Sequence, residues 1–121
     1  MAVKLTSIAM ERIADIIADD VSHIGVGTGA VAPVGGDTSL GEETFRNDVG
    51  SRLKEGNKFQ LRLVIANANL PTTMKEVGAF MNASAGANSG DILVRATETF
   101  SKGASDLLVV ITFTVAEASG A

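Results

Sequence analysis

The sequence predicts a β-rich α+β fold: an N-terminal amphipathic helix packed on an antiparallel β-sandwich of about six strands. Three observations predict it. Apolar residues recur at steps of three and four over the first twenty positions, and mostly at steps of two through the second half. Many of the 13 glycines fall where those periodic segments stop. The 121 residues, 45% apolar and 20% charged, suit a single globular domain with a modest core.

Leu5, Ile8, Ala9, Ile13, Ile16, Ile17 and Val21 form one apolar face of a helix running from about residue 7 to residue 20. Thr6 or Ser7 caps its start. Glu11, Asp15 and Asp19 take the solvent side. Asp19 and Asp20 sit where the helix dipole disfavours negative charge, so they are expected to mark the stop rather than the final turn. His23 to Gly29 reads as a short strand entering a glycine turn, and residues 30–36 as a loop. Ser39 and Glu42 have capping-box spacing, which predicts a short helix over about 40–46. Leu40, Glu43 and Arg46 would share one face of it, and Glu43 and Arg46 would pair.

The β-rich part is expected over about 49–115. Residues 49–54 and 58–66 flank Glu55-Gly56-Asn57, a hairpin signal. Phe59, Leu61, Leu63 and Ile65 should face the core. Pro71 begins another unit, and a strand over about 73–82 carries Met74, Val77 and Phe80, with Gly78 marking a bulge or a close approach. After a small-residue loop at 83–90, a strand over 91–100 places Ile92, Val94, Ala96 and Phe100 on one face, and Leu93, Arg95, Thr97 and Thr99 on the other. A turn at 101–106 leads to residues 107–115, which are apolar on both faces. That pattern predicts a central strand, or one covered by a partner. Residues 117–121 are expected to fray.

Composition narrows the chemistry. With no Cys, Trp or Tyr and one His, the chain forms no disulfide, thiol nucleophile or cysteine zinc site. A net charge of −4 gives no basic nucleic-acid footprint. The apolar run from Leu107 to Ile111 is far too short to cross a membrane. Gly25 to Ala30 matches G-x-G-x-x-A, but Pro33, Gly35 and Gly36 follow where a dinucleotide site needs a helix N-terminus. A glycine turn after a strand is the favoured reading. His23 has no second His or Cys to share a metal, and reads as a polar residue at the helix-to-strand junction. Asp15, Asp19 and Asp20 lack the spacing of a calcium loop. The residues themselves therefore assign no catalytic, cofactor or metal site.

Four segments carry a resemblance. The first is the N-terminal helix followed by Ile24-Gly25-Val26-Gly27-Thr28-Gly29. The second is Thr38, Leu40, Glu43 and Arg46 in a T-x-L-x-x-E-x-x-R pattern. The third is Lys75-Glu76-Val77-Gly78-Ala79-Phe80, similar to R-E-V-G-L-F with Ala79 in place of Leu. The fourth is Gly90-Asp91-Ile92-Leu93-Val94-Arg95-Ala96, similar to G-x-L-L-A-R-A. In this order and spacing they resemble the N-terminal module of bacteriophage tail-collar fibre proteins, which also occurs as short stand-alone phage structural proteins.

The resemblance implies a virion structural protein without enzyme activity, made in the host bacterial cytoplasm. Leu40, Glu43, Arg46, Glu76, Val77, Gly78, Phe80 and Arg95 are its structural and assembly motif. In a collar fibre this module leads into a shaft and a receptor-binding tip, neither of which is expected from residues 116–121. The expectation is therefore a capsid decoration subunit that bridges capsomers. The alternative is a tail collar, neck or fibre-attachment subunit. An alternative of another class is a small enzyme or ligand-binding domain using His23 and the Gly25–Ala30 turn. Expected partners are the major capsid protein, or tail and neck proteins, and further copies of the chain, as a trimer. No nucleic acid, membrane or cofactor is expected. Two readings stay open for Arg46 and Glu76, an ion pair or a surface charge on each, and two for loops 30–36 and 83–90, docking arms or idle surface loops.

Overall fold

Thr6 opens the helix α1 (Ser7–Asp20): its hydroxyl oxygen accepts the Ala9 amide at 3.1 Å, one of the donors that a helix start leaves unpaired. The architecture is that of a computed structural model describing residues 4–66, 73–86, 89–101 and 105–116, the side chains of residues 100 and 101 excepted. Pro71, part of the 101–106 turn and the 117–121 tail lie outside the described residues.

Among the described residues seven strands follow α1: β1 (Val21–Gly27), β2 (Glu43–Asp48), β3 (Ser51–Glu55), β4 (Lys58–Ile65), β5 (Thr73–Met81), β6 (Asp91–Ser101) and β7 (Leu107–Thr114). They form two antiparallel sheets, ordered β2-β1-β5-β6 and β3-β4-β7. One helix packed on two antiparallel sheets is the expected fold class. The chain passes between the sheets at residues 49–50. There the Val49 amide bonds the Ser22 carbonyl of β1, and the Gly50 amide bonds the Arg62 carbonyl on β4.

Between the sheets lies the core. Phe59, Leu61, Leu63 and Ile65 are buried as their alternation predicts, against Val21, Ile24 and Val26 of β1 and Met74 and Ala79 of β5. Phe59 stacks on Phe113 with ring centroids 5.3 Å apart. The hairpin between β3 and β4 turns at Gly56, whose φ of +59° suits the first central position of a two-residue turn.

Five expectations need correction. First, α1 buries Ala14 and Ala18, while Ile8 and Ile16 are 67% and 60% exposed. The apolar residues wrap further than one contact can cover. The alanine row wins because its small side chains let the helix lie close to β3 and β4. Second, Asp19 and Asp20 belong to the last helical turn. Cations from β3 compensate there: Arg52 Nε donates to the Ala18 carbonyl at 2.8 Å, its Nη2 donates to the Val21 carbonyl, and Lys54 pairs with Asp19 at 2.6 Å.

Third, no helix forms at 40–46. Residues 43–48 are strand β2, because pairing with β1 satisfies more of their backbone than an isolated two-turn helix could. Fourth, Ile92 and Val94 part company. The register of β6 on β5 slips between Ala79 and Phe80, so Ile92 lies opposite Phe80 and Val94 opposite Ala79, on different faces. Fifth, of the two readings offered for residues 107–115, the central strand does not hold: among the described residues β7 is an edge strand paired with β4 alone.

Candidate functional site

Gly29 and residues 40–42 pack on the outer face of the four-stranded sheet, and β1 is buried along nearly its whole length. Alternation along β5 turns Val77 and Ala79 inward and Glu76, Gly78 and Phe80 outward. Across the sheet, Gly25 of β1 lies between Arg46 of β2 and Gly78 of β5, and Gly78 lies opposite Arg95 of β6. Motif residues far apart in sequence thus meet on one face. Two ionic knots result.

Glu76 is the centre of the first. Its side chain is fully shut off from solvent. Oε2 accepts the amides of Gly29 at 2.7 Å and Glu42 at 2.8 Å, and Oε1 accepts the Gly41 amide at 2.7 Å and Arg95 Nε at 3.0 Å. Burial pushes the carboxyl pKa up. The amides of Glu42 and Gly41, the Arg95 guanidinium and the Gly29 amide outweigh burial and hold it below the usual value. Desolvation likewise lowers the Arg95 pKa, but Glu76 and Asp37 raise it above its ordinary value. Asp37 lies 3.3 Å from Arg95 Nη1 and also accepts the Val34 amide at 2.9 Å. Arg95 Nη2 is buried and has no hydrogen-bond partner among the described residues.

The glycines make this approach feasible. A Cβ on Gly27 would sit 2.2 Å from the Glu42 carbonyl oxygen, and one on Gly29 would sit 2.5 Å from Glu76 Oε2. At Gly78 it would meet Leu40 Cδ2 at 2.8 Å, so Gly78 marks the close approach that its sequence position suggested. The G-x-G-x-x-A match is therefore the seat of a carboxylate from the same chain.

Arg46 is the centre of the second knot. Its Nε and Nη2 fork onto the two oxygens of Glu43, each at 2.7 Å. The guanidinium carbon lies 4.3 Å from the Phe80 ring centroid. Nη1 donates to the carbonyls of Ser84 at 3.1 Å and Ser89 at 3.0 Å, fastening both ends of the 83–90 loop. The Glu43–Arg46 pair thus forms, but on a strand. The Arg46–Glu76 pair does not: Arg46 is two strands from β5 and already held by Glu43, whereas Arg95 is on the neighbouring strand. The Ser39–Glu42 capping box is also absent. The Glu42 amide goes to Glu76, and its carboxylate accepts the Thr28 hydroxyl at 2.9 Å.

His23 stands apart, on β1. Its Nε2 lies 2.8 Å from Asp48 Oδ1 and its Nδ1 lies 3.0 Å from Ser22 Oγ. The trio resembles a nucleophile arrangement in composition, but Ser22 Oγ also donates to the Phe80 carbonyl and accepts the Ala83 amide. Its geometry ties β1 to the end of β5. Among the described residues, no group of three or more His, Cys, Asp or Glu could hold a metal ion.

Of the eight motif residues, seven meet on this face, and Val77 points into the core. Sequence reading missed Asp37, the amides of Gly29, Gly41 and Glu42, and the carbonyls of Ser84 and Ser89. The available signal was a glutamate inside an apolar strand, Glu76 between Met74 and Val77, which has to find donors once buried. No protein-family model matches the chain, and no curated protein matches it.

Proposed function

We propose that the protein is a non-enzymatic structural subunit of a bacteriophage virion, made in the host cytoplasm, which decorates the capsid and bridges capsomers of the major capsid protein. One observation carries this reading. The separate motifs that resemble the tail-collar module converge on one sheet face in two ionic knots whose work is to tie down loops. Both oxygens of Glu76 and both of Glu43 are occupied by donors of the same chain, which suits a scaffold better than a reaction centre.

The bases of two loops are fixed by charge-assisted bonds, while Val31 and Val34 stand exposed at the surface of the first. Loops held at the base with apolar groups outward are suited to docking on a neighbouring protein. Cryo-EM of purified particles tests the proposal. Density for the subunit on the shell is expected. Density confined to the tail would replace decoration by a collar, neck or fibre-attachment role, and absence from particles would overturn the virion reading.

A further inference from the structure

Among the described residues four strands lie at sheet edges: β2, β3, β6 and β7. Edges of this kind recruit other strands unless charge, bulges or cover discourage it. Three of the four carry charge: Glu43, Arg46 and Asp48 on β2, Arg52, Lys54 and Glu55 on β3, and Asp91, Arg95 and Glu98 on β6. β7, Leu-Leu-Val-Val-Ile-Thr-Phe-Thr, carries none, no proline, and pairs with β4 residue for residue without a register shift. It is an unbulged, uncharged edge of eight residues.

Its backbone polarity follows from the register. The Val115 amide bonds the Asn57 carbonyl, and pairs such as Phe59–Phe113 and Ile65–Leu107 follow in step along the ladder. In an antiparallel ladder, odd-numbered residues of β7 thus bond β4. Leu108, Val110, Thr112 and Thr114 turn their amides and carbonyls the other way. No strand among the described residues takes them. The side chains agree: Leu107, Val109, Ile111 and Phe113 are only half-buried, while their β4 neighbours Phe59, Leu61, Leu63 and Ile65 are buried. On the outer face, Leu108 and Val64 pair across the ladder at 54% and 62% exposure.

We infer that β7 pairs antiparallel with β7 of a second copy across a two-fold axis, joining two three-stranded sheets into one of six strands. A two-fold axis sets a strand against its own reverse, so any charge near the axis faces its own copy. β7 is the one edge of the four that carries no charge to be opposed in this way. The register that uses all four outward-facing residues places the axis at Ile111. Ile111 then meets its own copy, Val110 meets Thr112, Val109 meets Phe113 and Leu108 meets Thr114. The pairs at 108–114 and 110–112 exchange hydrogen bonds, and half-buried Val109, Ile111 and Phe113 gain apolar neighbours. This inference rests on the strand edge and is independent of the virion reading.

The test uses the whole chain, which has no cysteine of its own. Light scattering is expected to give twice the 12.4 kDa chain mass. Ile111→Cys should cross-link to a dimer on mild oxidation, because opposed residues at a non-hydrogen-bonded pair lie about 4.5 Å apart, within disulfide reach. Val109→Cys should not, since its copy lies about 13 Å away along the strand. Thr112→Pro removes an amide that faces the free edge and leaves the β4 ladder intact. It should keep the circular dichroism of the native chain and weaken dimerisation roughly 30-fold, through two lost interchain bonds. Val110→Lys, at an exposed side chain, should do likewise by setting two ammonium groups beside the axis. A wild-type monomer or trimer, cross-linking at residue 109 instead of 111, or a dimer untouched by Thr112→Pro would overturn the inference.

Discussion

Replacing Glu76 by Gln keeps the side chain's size and removes its charge. Four donors converge on the native carboxylate, two on each oxygen. A glutamine presents one oxygen and one NH2 group, so in either orientation two buried donors face another donor. Hydrogen bonds to a charged acceptor each contribute about 1.5–3 kcal/mol, and the two that survive are weakened by loss of the charge. As a negatively charged partner Arg95 keeps only Asp37, at 3.3 Å. The expected cost is about 4 kcal/mol. A domain of this size has about 6–18 kcal/mol in total, so the variant should still fold. Urea unfolding is the assay, with an expected midpoint shift of about 2–3 M. Amide exchange locates the effect: Gly41, or Gly29 and Glu42, according to which way the glutamine amide turns, should lose protection while the β4 amides keep theirs. A double-mutant cycle with Arg95→Met should show coupling of about 1.5–3 kcal/mol. A loss below about 1 kcal/mol, with those three amides still protected, would refute the role assigned to Glu76.

Three further outcomes follow from the same cluster. Gly27→Ala should cost about 3 kcal/mol or more, because its Cβ meets backbone at 2.2 Å, whereas Gly35→Ala, with open space around it, should be neutral or gain up to about 1 kcal/mol; thermal unfolding separates them. The folded-state pKa of Glu76 lies below its ordinary 4.5, so its contribution is complete above pH 4.5 and is lost as pH falls through the lower folded value. Over that window stability should fall by about 1.4 kcal/mol per pH unit from this group, and Glu76→Gln should remove that slope in acid titrations followed by urea unfolding. Arg46→Lys cannot fork onto Glu43 or lie flat on Phe80, and should cost about 2–4 kcal/mol by differential scanning calorimetry, with faster exchange in the 83–90 loop.

The alternation Phe59-Leu61-Leu63-Ile65 was legible because a strand with one buried face repeats every two residues, and nothing further along the chain alters that period. The limits of α1 were legible for the same kind of reason, since Thr6 caps locally and the 3.6 period is local. The face of α1 was not. Its apolar residues cover more than half the helix, and only contact with β3 and β4 selects Ala14 and Ala18. Residues 40–46 misled because their spacing suits a helix, while the partner that overrides it, β1, lies twenty residues away in sequence. The motif residues of the candidate site were legible as a set. Their pairing was not, because Arg46 and Arg95 are equivalent to Glu76 until the strand order is known.

By itself, then, the sequence determined the elements whose cause is local: the helix, the hairpin at Gly56 and the inward face of β4. Tertiary structure decided what depends on strand order: which arginine neutralises Glu76, why Gly27 and Gly29 have no side chain, and that β7 lies at an edge. The physical reason is that periodicity records only whether a face meets apolar surroundings. It carries no information on which distant strand supplies them, and hydrogen bonding between strands settles that only after the chain has folded.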